Sequence, residues 1–492
     1  MKVLLVYPEF PDTFWSFKHA LPFEGKRSAF PPLGLLTVSA MLPSHWERRL
    51  VDLNVRRLKD SDLAWADVVF FSGMIVQGPS MKEQIARAKR HGVRTVVGGP
   101  IVSAKDSAIA EADHVVEGEA EDIIFQLAGD LERGEAQPHY FKKEWPDVTQ
   151  VPLPQMQLAS LRRYSSMSLQ YSRGCPFTCE FCDIIEIYGR RPRTKTPDQV
   201  CAELDQLQRL GWRGSVFLVD DNFIGNKKNV RLLLPRLVEW MHQHKSPFTL
   251  YTEASLNLAE DEDLLRLMRE ANFTRVFMGI ETPVVESLKE TTKFQNLRKD
   301  LLESVKLVQS YGMEVMGGFI VGFDNDPADV FDRQIKFIRE AAIPLSMVGL
   351  LSALPHTQLW HRLKAEGRLL KESLGNNTLL DLNFIPKMDS QQLIEGYRRI
   401  LRTIYNPREY FERASASLSQ LGVAAKTPVV FSDLMAVARS LWRQGFIADY
   451  RVEYWKFIGQ ALHRHRQHLH QAFTLAIMGH HFFKLVDAAE SS

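Results

Sequence analysis

Cysteine is scarce, with four in 492 residues, yet Cys175, Cys179 and Cys182 fall within one short stretch. That is too few and too uneven for a disulfide framework, and it points to metal or redox chemistry in a reducing compartment. An excess of one charge is also lacking. Lys+Arg number 61 against 59 Asp+Glu, a formal net charge of +2. The overall balance therefore gives no support to wholesale nucleic-acid or anionic-membrane binding. No apolar run reaches the ~20 residues of a membrane-spanning helix. Only residues 3–7 form an apolar run before Pro8, too short for a signal-peptide core. The expectation is a cytoplasmic chain with no integral membrane segment. No repeat at a fixed period and no low-complexity tract is present.

Apolar residues make up 45% and charged residues 24%, ordinary for a soluble globular protein. At ~150 residues per domain the length suggests about three domains. Residues 1–137 alternate short apolar runs (3–7, 49–52, 68–72, 94–97, 114–116) with helical stretches (35–42, 81–91, 121–132). This alternation predicts a doubly wound parallel sheet. Such sheets bind ligands beyond the carboxyl ends of their strands. The candidate loops there carry Ser72, Gly73 and Gln77, then Gly98 and Gly99, then Glu117-Gly118-Glu119. Residues 138–164 read as a linker, broken by Pro138, Pro146, Pro152 and Pro154. Residues 165–365 again alternate, with strands expected at 166–171, 215–219, 248–252, 275–278, 315–321 and 346–351. A helix at 198–210 has Thr196 as cap and Pro197 in its first turn. Six βα units suit a partial or full parallel barrel, whose function sits at the strand C-termini. Residues 366–492 read as a mostly helical extension.

The segment Arg173-Gly-Cys-Pro-Phe-Thr-Cys-Glu-Phe-Cys-Asp183 spaces three thiols as C-x3-C-x2-C. Three thiolates cannot complete a tetrahedral zinc site alone. They can hold three irons of a cubane and leave the fourth open, because such clusters otherwise take four thiolates. The alternative is zinc, completed by a distant His or by Cys201. Cys201 falls inside the expected 198–210 helix and reads as an ordinary buried cysteine.

This segment, with Phe181 before its last cysteine, resembles the signature of radical S-adenosylmethionine (SAM) enzymes. Further stretches at successive strand ends resemble the family too. Asp221 and Asn222 follow the second strand, where the family binds the SAM amino group. Glu253 and Ser255 end the third, where polar residues meet the ribose. Glu281 ends the fourth. Gly318 and Ile320 lie in the fifth, which is similar to the family's adenine-contacting strand. The resemblance implies a 4Fe-4S cluster on Cys175, Cys179 and Cys182, bound SAM, and a one-electron donor such as flavodoxin or ferredoxin. It also implies the chemistry: SAM is cleaved to a 5′-deoxyadenosyl radical that abstracts hydrogen from an unactivated carbon. The cofactor carries the hard step, and the protein orients substrate and excludes water.

A doubly wound domain ahead of such a barrel resembles the cobalamin-binding branch of that superfamily. Many cobalamin domains carry an Asp-x-His-x-x-Gly motif whose His ligates cobalt. The matching place here reads Asp52-Leu53-Asn54-Val55-Arg56-Arg57. Bound cobalamin is then expected base-off, without a His ligand. The C-terminal extension, with Asn383–Met388, Gly396-Tyr397 and Ile404–Pro407, is similar to that of one branch including hopanoid 2-methyltransferases. So are Phe17-Lys18-His19-Ala20 and Asp52-x-Asn54. Two further features stand apart. The basic loop Gly189–Lys195 offers an arginine for the SAM carboxylate or a cobalamin phosphate. The run 463–470 with His480-His481 reads as the polar face of an amphipathic helix, not as a metal site. Nearby Trp442, Phe446, Trp455 and Phe457 would cover the barrel mouth or touch a membrane surface.

The leading expectation is cobalamin-dependent C-methylation of an apolar, lipid-like small molecule, with the chain peripheral to a membrane if the substrate is a lipid. A non-methylating radical enzyme of oxidative or ring-forming type is the second reading. A non-catalytic cobalamin or redox sensor is the third. Methylation gives S-adenosylhomocysteine together with deoxyadenosine; the second reading gives deoxyadenosine alone; the third cleaves no SAM.

Overall fold

The computed structural model describes residues 1–103, 107–142, 144–376, 380–423 and 431–490. The N-terminal apolar runs become parallel strands, the central ones buried on both faces and the edge strands only in part. They are β1 (Lys2–Tyr7), β2 (Glu47–Asp52), β3 (Val68–Ser72), β4 (Arg94–Gly98), β5 (His114–Glu117) and β6 (His139–Phe141), in the order β2-β1-β3-β4-β5-β6. Separate apolar clusters pack on the two faces, one around Val3, Phe70 and Leu127, the other around Leu4, Phe71 and Ile85. The strand order reverses between β1 and β3, the switch point at which doubly wound sheets open a crevice. β6 corrects the expected start of the linker. Pro138 does not break structure: its carbonyl accepts from Val115 N at 2.9 Å and leads straight into an edge strand, where a flanking proline costs no ladder bond.

The second sheet comprises β7 (Ser166–Leu169), then, after a short antiparallel pair β8 (Ser172–Arg173) and β9 (Arg193–Thr194), β10 (Gly214–Leu218), β11 (Phe248–Glu253), β12 (Phe273–Glu281), β13 (Glu314–Val321) and β14 (Ser346–Leu350). Its order is β14-β13-β12-β11-β10-β7, parallel throughout. The sheet therefore curls as an open half-barrel whose β7 and β14 do not pair with each other. The helix Pro197–Arg209 starts as expected: Thr196 Oγ1 accepts from Gln199 N at 3.2 Å.

The open side of the half-barrel is closed from both ends of the chain. Helices Pro407–Gln420, Phe431–Trp442, Arg451–Arg464 and Leu469–Glu490 share one hydrophobic core with the barrel and with Phe14, Phe17, Leu21 and Phe23. His481 fixes this junction. Its Nε2 donates to Phe14 O at 3.2 Å and its Nδ1 accepts from His19 N at 3.4 Å. Burial lowers its pKa to about 4, which matches the neutral ring that both bonds require. Beside it, His480 pairs with the Tyr450 hydroxyl at 2.5 Å and packs on Phe23. The expected single helix over 463–470 is corrected. The chain breaks at His465 into a short 3-10 turn, and His468 is buried.

Candidate functional site

The cysteine loop springs from the β8–β9 pair. Gly174 takes a φ of +92°, and a Cβ there would lie 2.8 Å from Gly189 O, so the loop's two legs meet only because this residue is glycine. All three thiols are half-buried. Asn222 Nδ2 points at Cys175 Sγ at 3.8 Å, and Gln295 Nε2 at Cys179 Sγ at 3.5 Å. Burial raises the Cys175 and Cys182 thiols, most strongly Cys182. Among the described residues, no three His, Cys, Asp or Glu side chains gather tightly enough for a single metal ion. Three soft thiols on one loop, two of them with amide donors aimed at sulfur, form a donor set that fits an iron–sulfur cluster with one iron left open. Cys201 lies half-buried in the helix Pro197–Arg209 among Arg236, Asp205, Asp198 and Glu239, away from this loop.

Three strand ends converge on the loop. Asp221 Oδ2 accepts from Gly174 N at 3.0 Å. Asn222 also ties β10 to β11, donating to Ser255 Oγ at 3.1 Å and accepting from Ser255 N at 3.2 Å. Glu253, at the end of β11, is raised to about 8 by burial and by the nearby carboxylates of Asp221 and Asp220. Asp221 itself is raised to about 6, chiefly by burial. Asp220 turns back to hold Tyr171 N (2.8 Å) and Ser172 N (2.5 Å), while its Oδ2 is buried with no hydrogen-bond partner. A buried cluster of three carboxylates with one orphaned oxygen is chemically suited to a cation, as the SAM ammonium and sulfonium are.

Glu281 sits elsewhere. It has a φ of +65° at a register shift between β12 and β13, and its carboxylate is closed by a buried ion pair with Lys293. Lys293 was not foreseen. Burial opposes its charge, yet Glu281 and then Cys179 and Cys182 hold it protonated above its ordinary range. Gly318 is buried, and a Cβ there would lie 2.8 Å from the Phe277 ring, so it leaves room for that ring. Ile320 packs in the apolar cluster that includes Phe181 and Phe323. The opposite side of the cysteine loop is clamped by Arg362, which binds Glu180 at 2.5 and 3.1 Å and Asp324 at 2.9 Å.

In the first sheet, Gly99 has a φ of +89° and a Cβ would fall 2.5 Å from Ser72 Oγ and 3.2 Å from Gly73 N. The backbone packs closely here: a Cβ on Gly73 would lie 3.0 Å from Met81 and 3.2 Å from Gln77 Oε1, and one on Gly98 3.7 Å from Val116 O. Gln77 is held inside this packing. Its fully buried amide accepts from Met74 N at 2.9 Å and donates to Pro8 O at 2.6 Å, so it shapes the loop from behind. Asn54 stands where a cobalt-ligating His would be, and its amide is spent on Asp52, Pro8 O and Phe10 N.

The two sheets are joined under the cysteine loop. Arg173 pairs with Glu119 and Glu121, and Arg193 pairs with Glu119. Arg193 also donates to Pro146 O and Tyr188 O. Within the basic loop, partly buried Arg193 joins the domains, while Arg190 and Arg191 are exposed.

The half-barrel encloses a cavity of about 190 Å³ that reaches Glu253. Its walls include Trp15, Phe30, Phe217, Tyr251, Phe277 and Phe473. Phe217 and Tyr251 stack at 4.7 Å with 5° between planes, and Trp15 meets Phe277 edge-on at 5.1 Å.

Family models match in the order the folds occur: a B12 binding domain over residues 27–128, the radical SAM superfamily over 169–338, and a domain of unknown function (DUF4070) over 357–492. An uncharacterized methyltransferase of Synechocystis sp. is 45% identical, over 98% of this chain and 92% of that protein. The hopanoid C-2 methylase of Rhodopseudomonas palustris is 36% identical, over 100% and 94%. Among solved structures, the radical SAM methyltransferase TsrM from Kitasatospora setae, with cobalamin and a [4Fe-4S] cluster bound, shares the fold at a TM-score of 0.63 and 14% identity, each chain covered fully. With two relatives this similar along nearly their whole lengths, the chain belongs to the cobalamin-dependent radical SAM methyltransferase family.

Proposed function

We propose that this enzyme C-methylates an apolar, lipid-like small molecule held inside the half-barrel. The observation that carries this reading is the aromatic cavity, which reaches Glu253, the neighbour of the Asp221 carboxylate that holds the cysteine loop at Gly174 N. Cys175, Cys179 and Cys182 would hold the 4Fe-4S cluster. Asp221, Glu253, Asn222 and Ser255 would surround SAM, with Gly318 and Ile320 shaping its adenine side. Glu281 acts at one remove, by fixing Lys293 under the cluster loop. Ser72, Gly73, Gly98 and Gly99 would cradle cobalamin, and Gln77 would stiffen that cradle. When bound, these groups supply the radical that takes hydrogen from carbon and the methyl group that replaces it. The protein's own share is positioning: the flat Phe217–Tyr251 stack suits a fused-ring face, and Trp15 on Phe277 keeps water from the reacting end.

A lipid-like substrate needs a route from a bilayer. Helix Phe431–Trp442 lines the cavity with Asp433, Ala436 and Val437. Its other face exposes Leu434 and Trp442 (62% exposed), continued by Phe446 (63%), Ile447 and Trp455. Exposed Arg451 and Lys456 flank this patch. Aromatic residues with basic neighbours suit an anionic lipid surface, and no described helix is long and apolar enough to cross a membrane.

The test is anaerobic, iron–sulfur-reconstituted protein loaded with hydroxocobalamin and given a reductant, SAM and a membrane-lipid extract. The reading expects S-adenosylhomocysteine and deoxyadenosine in step, with a methylated lipid of 14 Da added mass. Deoxyadenosine without S-adenosylhomocysteine would sink it in favour of a non-methylating enzyme.

A further inference from the structure

On the reading that Cys175, Cys179 and Cys182 hold an iron–sulfur cluster, an electron must reach it from outside the protein before SAM is cleaved. Two flanks of the cysteine loop are closed by the chain. Thr292 Oγ1 donates to Thr178 O, and Gln295 Nε2 points at Cys179 Sγ. Leu359 N donates to Glu180 O at 2.9 Å beside the Arg362 clamp. The flank behind Cys175 is thin. Cys175 N donates to Gly189 O at 3.3 Å. A Cβ on Gly174 would also lie 3.0 Å from Tyr188 O and 3.2 Å from Arg191 O, so the two backbone legs touch. Gly189 is backed in turn by the Trp145 ring: a Cβ there would fall 3.0 Å from Cε2 and Nε1. Trp145 is 46% exposed. Its indole, the Gly189 peptide and the Cys175 backbone form one contact path from solvent to a cluster ligand.

The mouth of this path is positively charged. Arg190 and Arg191 directly follow Gly189, are exposed, and make no ion pair or hydrogen bond with any described residue. Exposed Lys228 lies on the same side, since its neighbour Asn229 donates to Thr194 Oγ1 at 2.7 Å. Arg193 differs, being spent on Glu119 and on two backbone carbonyls. The acids closest in sequence do not neutralise the free arginines. Asp147 is turned onto Thr149 N at 2.9 Å, and Glu144 and Glu186 form no ion pair with either arginine. Unpaired guanidinium groups around an exposed indole suit an anionic protein face. The charges steer the encounter and set its orientation, and the indole supplies apolar contact.

We infer that a one-electron carrier protein with an acidic face docks on Arg190, Arg191 and Trp145, over the Gly189–Cys175 contact, and reduces the cluster from there. The carrier gives up one electron and the cluster gains it; no bond forms or breaks and no proton enters this chain. Arg190, Arg191 and Trp145 are docking residues and touch neither SAM nor substrate.

The test uses the reconstituted holoenzyme with two probes, an acidic flavodoxin and an acidic ferredoxin, and with dithionite as a small reductant that needs no docking surface. Calorimetry measures carrier binding, and stopped-flow bleaching of the cluster absorbance measures its reduction. Arg190→Ser with Arg191→Ser should weaken binding and slow carrier-driven reduction about tenfold at low ionic strength, and added salt should bring the wild type down to the variant. Arg190→Lys with Arg191→Lys should restore most of the loss. Trp145→Ser should weaken binding about tenfold at either ionic strength, because the lost contact is apolar. Dithionite reduction, iron content, cobalamin retention and melting temperature should stay at wild-type levels in all three. No binding of either carrier to the wild type, a wild-type rate indifferent to salt, or serine variants reduced as fast as the wild type would each overturn the docking surface. So would equal slowing by dithionite, which marks structural damage, or loss of cobalamin on desalting, which makes the arginines a cobalamin-phosphate site. The underlying reading is checked first and separately. A protein that takes up no cluster fails it before any carrier is added, whereas a dithionite-reducible cluster indifferent to these substitutions removes the docking surface alone.

Discussion

Replacing Glu119 by Ala should be the most damaging single change at the join between the two sheets. Glu119 is 4% exposed and pairs with two arginines, Arg173 (12%) and Arg193 (15%); Glu121 (11%) is a second partner for Arg173 alone, at 2.6 Å. Removing one member of a buried pair leaves an uncompensated charge and costs about 3–5 kcal/mol. The cost is not doubled, because each arginine keeps other acceptors. Arg173 retains Glu121 and Gln170 Oε1 at 2.8 Å, and Arg193 retains two backbone carbonyls. Glu121→Ala leaves every arginine with a carboxylate and should cost less, about 1.5–3 kcal/mol, the worth of a hydrogen bond to a charged group. Arg173 stands two residues before Cys175, so the larger loss should also loosen the cysteine loop. Urea unfolding followed by tryptophan fluorescence measures the first effect, and iron content after anaerobic reconstitution the second. A cost below ~1 kcal/mol for Glu119→Ala, or a larger cost for Glu121→Ala, would refute the claim that Glu119 carries the join.

Gly99→Ala combines a φ of +89° with a Cβ 2.5 Å from Ser72 Oγ; left-handed backbone alone costs about 1–2 kcal/mol. It should abolish retention of hydroxocobalamin on desalting while leaving iron content at the wild-type level. Cys182→Ser should lose the cluster's visible absorbance, whereas Cys201→Ser should keep all of it. Glu253 ordinarily titrates near 4.5 and is raised to about 8 in the fold. The folded protein then holds a proton that the unfolded chain releases between those values, so the apo protein loses stability as pH rises from about 4.5 to about 8. Glu253→Gln should remove part of that slope and raise the apo melting temperature at pH 8 but not at pH 4; an unchanged slope counts against burial of this carboxyl. Trp442→Ser combined with Phe446→Ser should cut co-sedimentation with anionic phospholipid vesicles at least fivefold, with SAM cleavage in detergent unchanged.

What the sequence made legible was whatever chemistry is local. Parallel strands covered on both faces read as apolar runs, so eleven of the twelve strands of the two large sheets were found; the missed one, β6, is three residues long and hides behind Pro138. Motifs at strand ends were readable because each strand end delivers its own few residues to one edge: Asp221, Asn222, Glu253 and Ser255 do meet beside Cys175. For Glu281 and Gln77 the sequence could not show what else each side chain holds. A polar residue in the right loop has either a ligand or a neighbour to satisfy, and only the fold reveals that Lys293 and Pro8 O are those neighbours. The cavity's outer wall was illegible for a deeper reason. Residues 14–30 carry no helical or strand period, and the rings of Phe14, Phe17 and Phe23 meet Phe482, His481 and His480, more than 400 positions away. Periodicity reports only which face of an element is buried, not what buries it. The cluster loop is a local motif with a fixed spacing. The cavity of the half-barrel is walled on its open side by the two ends of the chain, so a relative with the same cysteines can close its barrel with different aromatic residues and enclose a differently shaped space.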